Sequence, residues 1–270
     1  MPRDPRTEGW FLVGNPLGIS LLLGGYILLV TVIGPRWMEH RKAYDIRNWI
    51  VAANASQVAL NMFFASRFLR LTYLGGGYNL WCQGISRDLS DDKRHLALLC
   101  WYYLFVRIAD FLDTAFFVLR KKFGHVSFLH VVHHVLVVFN GWYGLTYGFD
   151  GQAMFCICIN SCVHVLMYSY YLLSLFHLRW LPRVKPYLTI VQISQFCAIS
   201  LHSLAPLFVE CGYPLQHSLL ILGESLFFLA LFLNFYRRAY WSKRKPSPIQ
   251  PTRLSCRPAA GVGAEQKDSH

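Results

Sequence analysis

Charge is scarce in this chain: Asp, Glu, Lys and Arg together make up 15% of its 270 residues, where an ordinary soluble domain carries about a quarter. That shortage argues against a water-facing globule. Apolar residues reach 54% and aromatic residues 16%, more apolar surface than one soluble core of this size can hide. Cysteine pairs are lacking too. The eight cysteines contain no Cys-x-x-Cys, which removes the usual zinc-knuckle and dithiol motifs. There is no internal repeat and no second domain. A cleavable signal peptide is not expected behind Met-Pro-Arg-Asp-Pro-Arg, because the first apolar run is long enough to span. The net charge of +12 does not point to nucleic acid, since the basic residues sit in short clusters between apolar runs.

Those runs fall at 11–33, 49–66, 97–119, 126–147, 152–176, 187–209 and 215–236. A bilayer-crossing helix needs about 20 apolar residues, so the chain is read as an all-α membrane protein with seven transmembrane helices. Every second connection is basic. Arg36, Arg41, Lys42 and Arg47 follow the first run, Arg120, Lys121 and Lys122 the third, Arg179, Arg183 and Lys185 the fifth, and Arg237, Arg238, Lys243, Arg244 and Lys245 the seventh. The alternate connections carry mixed charge or a lone acid, Asp150 or Glu210. Basic loops stay cytosolic, so the N-terminus is expected outside and the C-terminus in the cytosol, which requires an odd number of spans. The helical domain is assigned to 1–245, and the Pro-, Ser- and Gly-rich tail 246–270 is expected to be disordered.

Ionisable groups at membrane depth are costly and usually serve a function. Four runs carry polar residues at helical spacing: Arg107, Asp110, Asp113 and Thr114; His130, His133, His134 and Asn140; Asn160, His164, Tyr168 and Tyr171; Thr189, Gln192 and Gln195. Steps of three and four put each set on one helix face. His133 lies fourteen residues before Tyr147 and His164 twelve after Gln152. On antiparallel neighbours that levels the two imidazoles to within about 3 Å. One polar chamber fits these positions. Interhelical hydrogen-bonding glue is the plain alternative, and it suits the Thr and Gln set better than the histidines.

His-x-x-His-His at 130–134 leaves two chemistries open. Di-iron membrane desaturases and hydroxylases use such boxes but need several clusters, because each metal takes several ligands; here a second box is missing. A single ion on the four histidines still fits the residue types. The metal-free route uses a buried neutral imidazole as nucleophile toward an activated acyl group, with a second imidazole as acid, base or electrostatic partner. A seven-helix receptor or transporter is a third, non-enzymatic reading.

Four ordered motifs then resemble the very-long-chain fatty acid elongases (the ELO/ELOVL family) over about 15–241. His130-Val-Val-His133-His134 resembles the family's histidine box, and Phe117-Val-Leu-Arg120-Lys121-Lys122 the segment before it. Asn160-x-x-x-His164-x-x-Met167-Tyr168-x-Tyr170-Tyr171 and Thr189-x-x-Gln192-x-x-Gln195 resemble two further signatures. The family's Lys-x-x-Glu-x-x-Asp-Thr stands here as Arg107-x-x-Asp110-x-x-Asp113-Thr114, and Val135 replaces a small polar residue.

The resemblance implies six helices in a barrel around an acyl-chain tunnel, and a 3-ketoacyl-CoA synthase of the endoplasmic reticulum that condenses acyl-CoA with malonyl-CoA through an acyl-imidazole. On it, His133 is the nucleophile. His164 and Asn160 position the thioester or the enolate, His130 and His134 orient the box, and Asp110 and Asp113 hold imidazole tautomers. Tyr168, Tyr171, Gln192 and Gln195 are expected at the substrate, with Lys121, Lys122, Arg237 and Arg238 meeting the CoA phosphates. No metal and no bound cofactor are expected. The N-terminus is then lumenal, and Cys82 and Cys211, both in loops assigned to the oxidising lumen, are expected to form a disulfide. Partners expected beyond the substrates are the bilayer and other copies or other elongation enzymes.

Overall fold

The computed structural model describes residues 2–241; the assigned tail 246–270 and the basic residues Lys243, Arg244 and Lys245 lie outside them. Among the described residues there is no β-strand. The helices are α1 (Pro16–Leu28), α2 (Gly34–Met38), α3 (Arg47–Leu69), α4 (Asp91–Ala109), α5 (Phe111–Leu119), α6 (Phe128–Tyr147), α7 (Ala153–Ser174), α8 (Lys185–Phe208) and α9 (Leu215–Tyr236). A π-turn over Leu29–Ile33 joins α1 to α2, and α4 and α5 meet end to end at Asp110. Among the described residues, nine helices therefore make seven rods. The run predicted as one helix over 97–119 is interrupted at Asp110, without a proline or glycine to mark the break.

Six rods are long and apolar enough to cross a bilayer. The remaining one, α3, has 23 residues, but its length is interspersed with Asn48, Asn54, Gln57 and Asn61. Large apolar side chains such as Leu21, Met62, Leu201 and Phe208 face outward, as they do where the solvent is lipid rather than water. The polar residues of α3 point the other way: Asn54, Gln57 and Asn61 are buried.

Packing closes a ring. The helix α3 lies against α4 and α7, α7 against α8, α8 against α9, α9 against α6, and α6 against α4. Six rods thus surround a common interior, while α1 and α2 pack outside it against α6 and α5. Gly141 permits the close approach of α6 to α4, since a β-carbon there would sit 2.9 Å from Leu104 Cδ1.

The two ends of the barrel differ. At one, Lys121 Nζ donates to Glu39 O, Tyr44 N to Leu119 O and Arg47 Nη2 to Leu175 O; this is the basic end. The opposite end is sealed. Asp4 N donates to Thr146 O, and the Trp142 and Trp101 indoles donate to Leu12 O and Phe11 O. Arg6 is fully buried, bonded to Asp4 and, at 3.0 Å, to Asp150, and its guanidinium covers the Phe149 ring at 4.2 Å. Burial raises the Asp150 carboxyl above its ordinary pKa in spite of Arg6. Cys82 and Cys211, 129 residues apart, are joined by a disulfide with Cα atoms 5.8 Å apart. Gln152 bridges the adjoining loops, accepting from Gln83 N and donating to Trp81 O and His202 O.

Candidate active site

A cavity of about 200 Å³ runs inside the ring. Arg107, His133, Asn160 and Gln195 line its upper part, toward the basic end, and Phe149, Tyr213 and His217 line the sealed end. Its walls between are mainly aliphatic and aromatic, including Leu104, Val137, Ile157, Ile199 and Phe228.

Around its upper part lies a polar network contributed by α3, α4, α5, α6 and α7. Arg107 is its hub. Its Nη2 donates to Asn61 Oδ1 at 2.8 Å, its Nη1 lies 3.3 Å from Asp110 Oδ2, and its face covers the Tyr103 ring. Nη1 also lies 2.7 Å from His164 Nδ1 and 3.3 Å from Nε2. A guanidinium has only donors, so the shorter contact makes Nδ1 the acceptor and leaves the His164 proton on Nε2. Asp110 is satisfied from a second side, because Gln57 Nε2 donates to its Oδ1 at 2.7 Å. The Tyr168 hydroxyl sits between the two carboxylates, 2.7 Å from Asp113 and 3.0 Å from Asp110, and donates to one at a time. Their spacing of three puts both carboxylates on the face that meets Tyr168.

The four histidines are held differently. His130 Nε2 pairs with Thr114 Oγ1 at 2.8 Å, and Thr114 pairs in turn with the Tyr26 hydroxyl at 2.8 Å. His134 is buried, 4.3 Å from the His130 ring and beside Tyr26 and Phe111. His164 is fixed by Arg107. His133 has no hydrogen-bond partner among the described residues; its ring lies 6.4 Å from that of His164, tilted by 24°, and 5.3 Å from Phe228. Of the four, only His133 lines the cavity. Among the described residues, no group of three or more His, Cys, Asp or Glu side chains is arranged to hold a metal ion.

The remaining expected residues sit at varied distances from this centre. Asn160 and Gln195 line the cavity. Gln192 instead donates to Met167 Sδ at 3.7 Å, and Tyr171 packs edge-on against Tyr168 while partly facing outward. Lys121, Lys122, Arg237 and Arg238 stand at the basic end, away from the network, and Arg237 and Arg238 are exposed. His125, beside them, is pushed below its ordinary pKa by burial and then by Lys122 and Lys185.

Gln57, Asn61 and Tyr26 were not expected at the site. The first two had a signal, polar side chains four apart within an apolar run; Tyr26 had none. Its position yields a prediction. Tyr26→Phe keeps the stacking on Phe111 and removes one hydrogen bond, so stability should fall by about 0.5–1.5 kcal/mol. Thr114→Val should cost more, since it also strands the His130 nitrogen. Thermal melts of the two variants decide it, and equal losses would deny the relay.

The arrangement supplies a free imidazole on an apolar cavity, a second imidazole of fixed tautomer facing it, and a carboxylate-guanidinium frame behind both. A family model described as ELO, the GNS1/SUR4 family, matches residues 11–248. The human very long chain fatty acid elongase 4 is 35% identical over 270 residues, covering 98% of this chain and 84% of that protein. Human elongase 1 is 35% identical over 92% of this chain and 90% of its own length. An elongase of Aedes aegypti is 36% identical over 93% and 71% respectively. The chain belongs to the GNS1/SUR4 family of very long chain fatty acid elongases.

Proposed function

We propose that the protein catalyses the condensing step of elongation, joining a long-chain acyl-CoA to malonyl-CoA to give 3-oxoacyl-CoA, CoA and carbon dioxide. The observation that carries this reading is the position of His133: of the four clustered histidines it alone lines the cavity, and its ring has no hydrogen-bond partner among the described residues. A ring nitrogen of His133 attacks the thioester carbonyl. The carbon–sulfur bond breaks, the thiolate leaves with the proton that the ring gives up from its other nitrogen, and the acyl group stays on the imidazole. Malonyl-CoA then loses carbon dioxide. Its enolate carbon attacks the acyl carbonyl, the carbon–nitrogen bond breaks, and the departing ring takes one proton from solvent, which restores the neutral imidazole.

His164, with Nε2–H as its donor, serves the enolate oxygen that forms when malonyl-CoA loses carbon dioxide. Asn160 and Gln195 supply further polar contact along the cavity wall. Asp110, Asp113 and Tyr168 act through Arg107, as positioning residues. No resident cofactor is needed, because both thioesters carry their own leaving groups. The basic end receives the CoA phosphates through Lys121, Lys122, Arg237 and Arg238, while the acyl chain extends toward the sealed end. This places the basic end in the cytosol, the disulfide in the lumen of the endoplasmic reticulum, and α3 across the bilayer as a seventh span.

The test is direct. Purified full-length protein, given long-chain acyl-CoA and malonyl-CoA alone, should release 3-oxoacyl-CoA two carbons longer, identified by mass. Formation of a desaturated or hydroxylated acyl-CoA, or no product, would overturn the reading.

A further inference from the structure

The cavity carries a second polar level that the condensing chemistry does not use. Asn140 on α6 and Glu224 on α9 both line it, and Asn140 Nδ2 donates to Glu224 Oε2. Around them the wall is mainly apolar, formed by Val137, Ile157, Leu220, Ile221 and Phe228, with Tyr143, Cys156 and Ser225 among them. A hydrogen bond that only ties two helices together would use the carboxamide N–H and turn its remaining polar atom to a partner. Here Asn140 Oδ1 is buried without one among the described residues. Because the carboxylate takes the N–H, the oxygen that is left can only accept.

This rests on the proposed use of the cavity for the acyl chain. An unsubstituted alkyl chain filling the cavity would leave Asn140 Oδ1 unpaired and strip water from Glu224, both unfavourable. A double bond, an ether or a ketone has no proton to offer. A hydroxyl does. Its depth follows from the helix: Asn140 is seven residues from His133, two turns along the same face, or about 10 Å at 1.5 Å per residue. Carbon–carbon bonds of about 1.5 Å at near-tetrahedral angles advance an extended chain about 1.25 Å per carbon. The polar level therefore meets the chain roughly eight carbons beyond the carbonyl held at His133.

We propose that Asn140 and Glu224 form a specificity site for acyl chains that carry a mid-chain hydroxyl, which donates to Asn140 Oδ1. Sites built to hydrogen-bond a substrate hydroxyl discriminate strongly against the analogue lacking it.

The experiment compares two acyl-CoA substrates of equal length on the wild-type full-length protein, one unsubstituted and one hydroxylated at the ninth carbon. The hydroxylated chain should have the higher kcat/KM, by about tenfold or more. An Asn140→Leu/Glu224→Leu variant should reverse that order, raising turnover of the unsubstituted chain. Equal rates on wild type would mean that water satisfies Asn140 and would overturn the proposal. So would turnover of the unsubstituted chain alone, while leaving the condensing reaction intact. Turnover of neither substrate would instead sink the condensing reading, and this inference with it.

Discussion

His133→Ala is expected to abolish condensation, with a loss in kcat of about 10⁴-fold or more, since the other nucleophilic side chains on the cavity, Cys100, Cys156 and His217, stand about two helical turns or more from Arg107 and His164, toward the sealed end. The effect can be divided by intact-mass analysis after incubation with acyl-CoA alone. Wild-type protein should gain one acyl mass, and His133→Ala none. His164→Ala should behave differently. Its Nε2–H is assigned to stabilising charge, a role commonly worth about 10²–10⁴-fold, so the variant should still acylate while failing to release 3-oxoacyl-CoA. An adduct that persists in His133→Ala would move the nucleophile to another residue. Loss of the adduct in both variants would deny the division of roles, although not the importance of the pair.

Why the histidines were legible while part of their support was not has a physical reason. His130, His133, His134 and His164 interrupt apolar runs, and an ionisable group at membrane depth is costly enough to stand out in any sequence. Helical spacing then aligned them. Gln57 and Asn61 are neutral, and neutral amides inside a span read as interhelical glue. Their bonds to Asp110 and Arg107 cross 53 and 46 residues of chain, a pairing that no local pattern encodes. Tyr26 is one aromatic in a hydrophobic run, and its value lies in a hydroxyl whose partner is 88 residues away. Arg6 misleads in the other direction. Charged residues ahead of the first run resemble a solvated end, yet Arg6 is enclosed by Asp4 and by Asp150, 144 residues distant. Alternation of basic loops groups the basic clusters at one end of the barrel, but it holds no sign that residues 4–12 close the opposite end. Glu224 was missed because one carboxyl in a strongly apolar run has no partner at helical spacing, whereas Asn140 supplies one from another helix.

Arg107→Met should be the most damaging change outside the histidines. Methionine fills much of the same space but leaves Asp110 with Gln57 and Tyr168 as its only donors, and removing one partner of a buried charge pair costs about 3–5 kcal/mol. A thermal melt of the detergent-purified variant reads that loss. The variant should also fail in condensation, because His164 loses the contact that fixes its proton on Nε2. A subtler substitution separates the two effects. The family's lysine and glutamate stand here as Arg107 and Asp110, and the structure gives the exchange a geometric logic: the longer, forked arginine reaches across to the shorter carboxylate and still spares nitrogen atoms for Asn61 and His164. Arg107→Lys alone leaves one compact ammonium for three partners, and Asp110→Glu alone pushes a longer carboxylate into space that the guanidinium occupies. Each single change should lower kcat by roughly tenfold, while Arg107→Lys/Asp110→Glu together should recover most of the loss. That corresponds to a coupling within the roughly 0.5–3 kcal/mol seen for residues in direct contact. Strictly additive losses would mean that Arg107 and Asp110 act on the site independently, and that the frame behind His164 is not built from the pair.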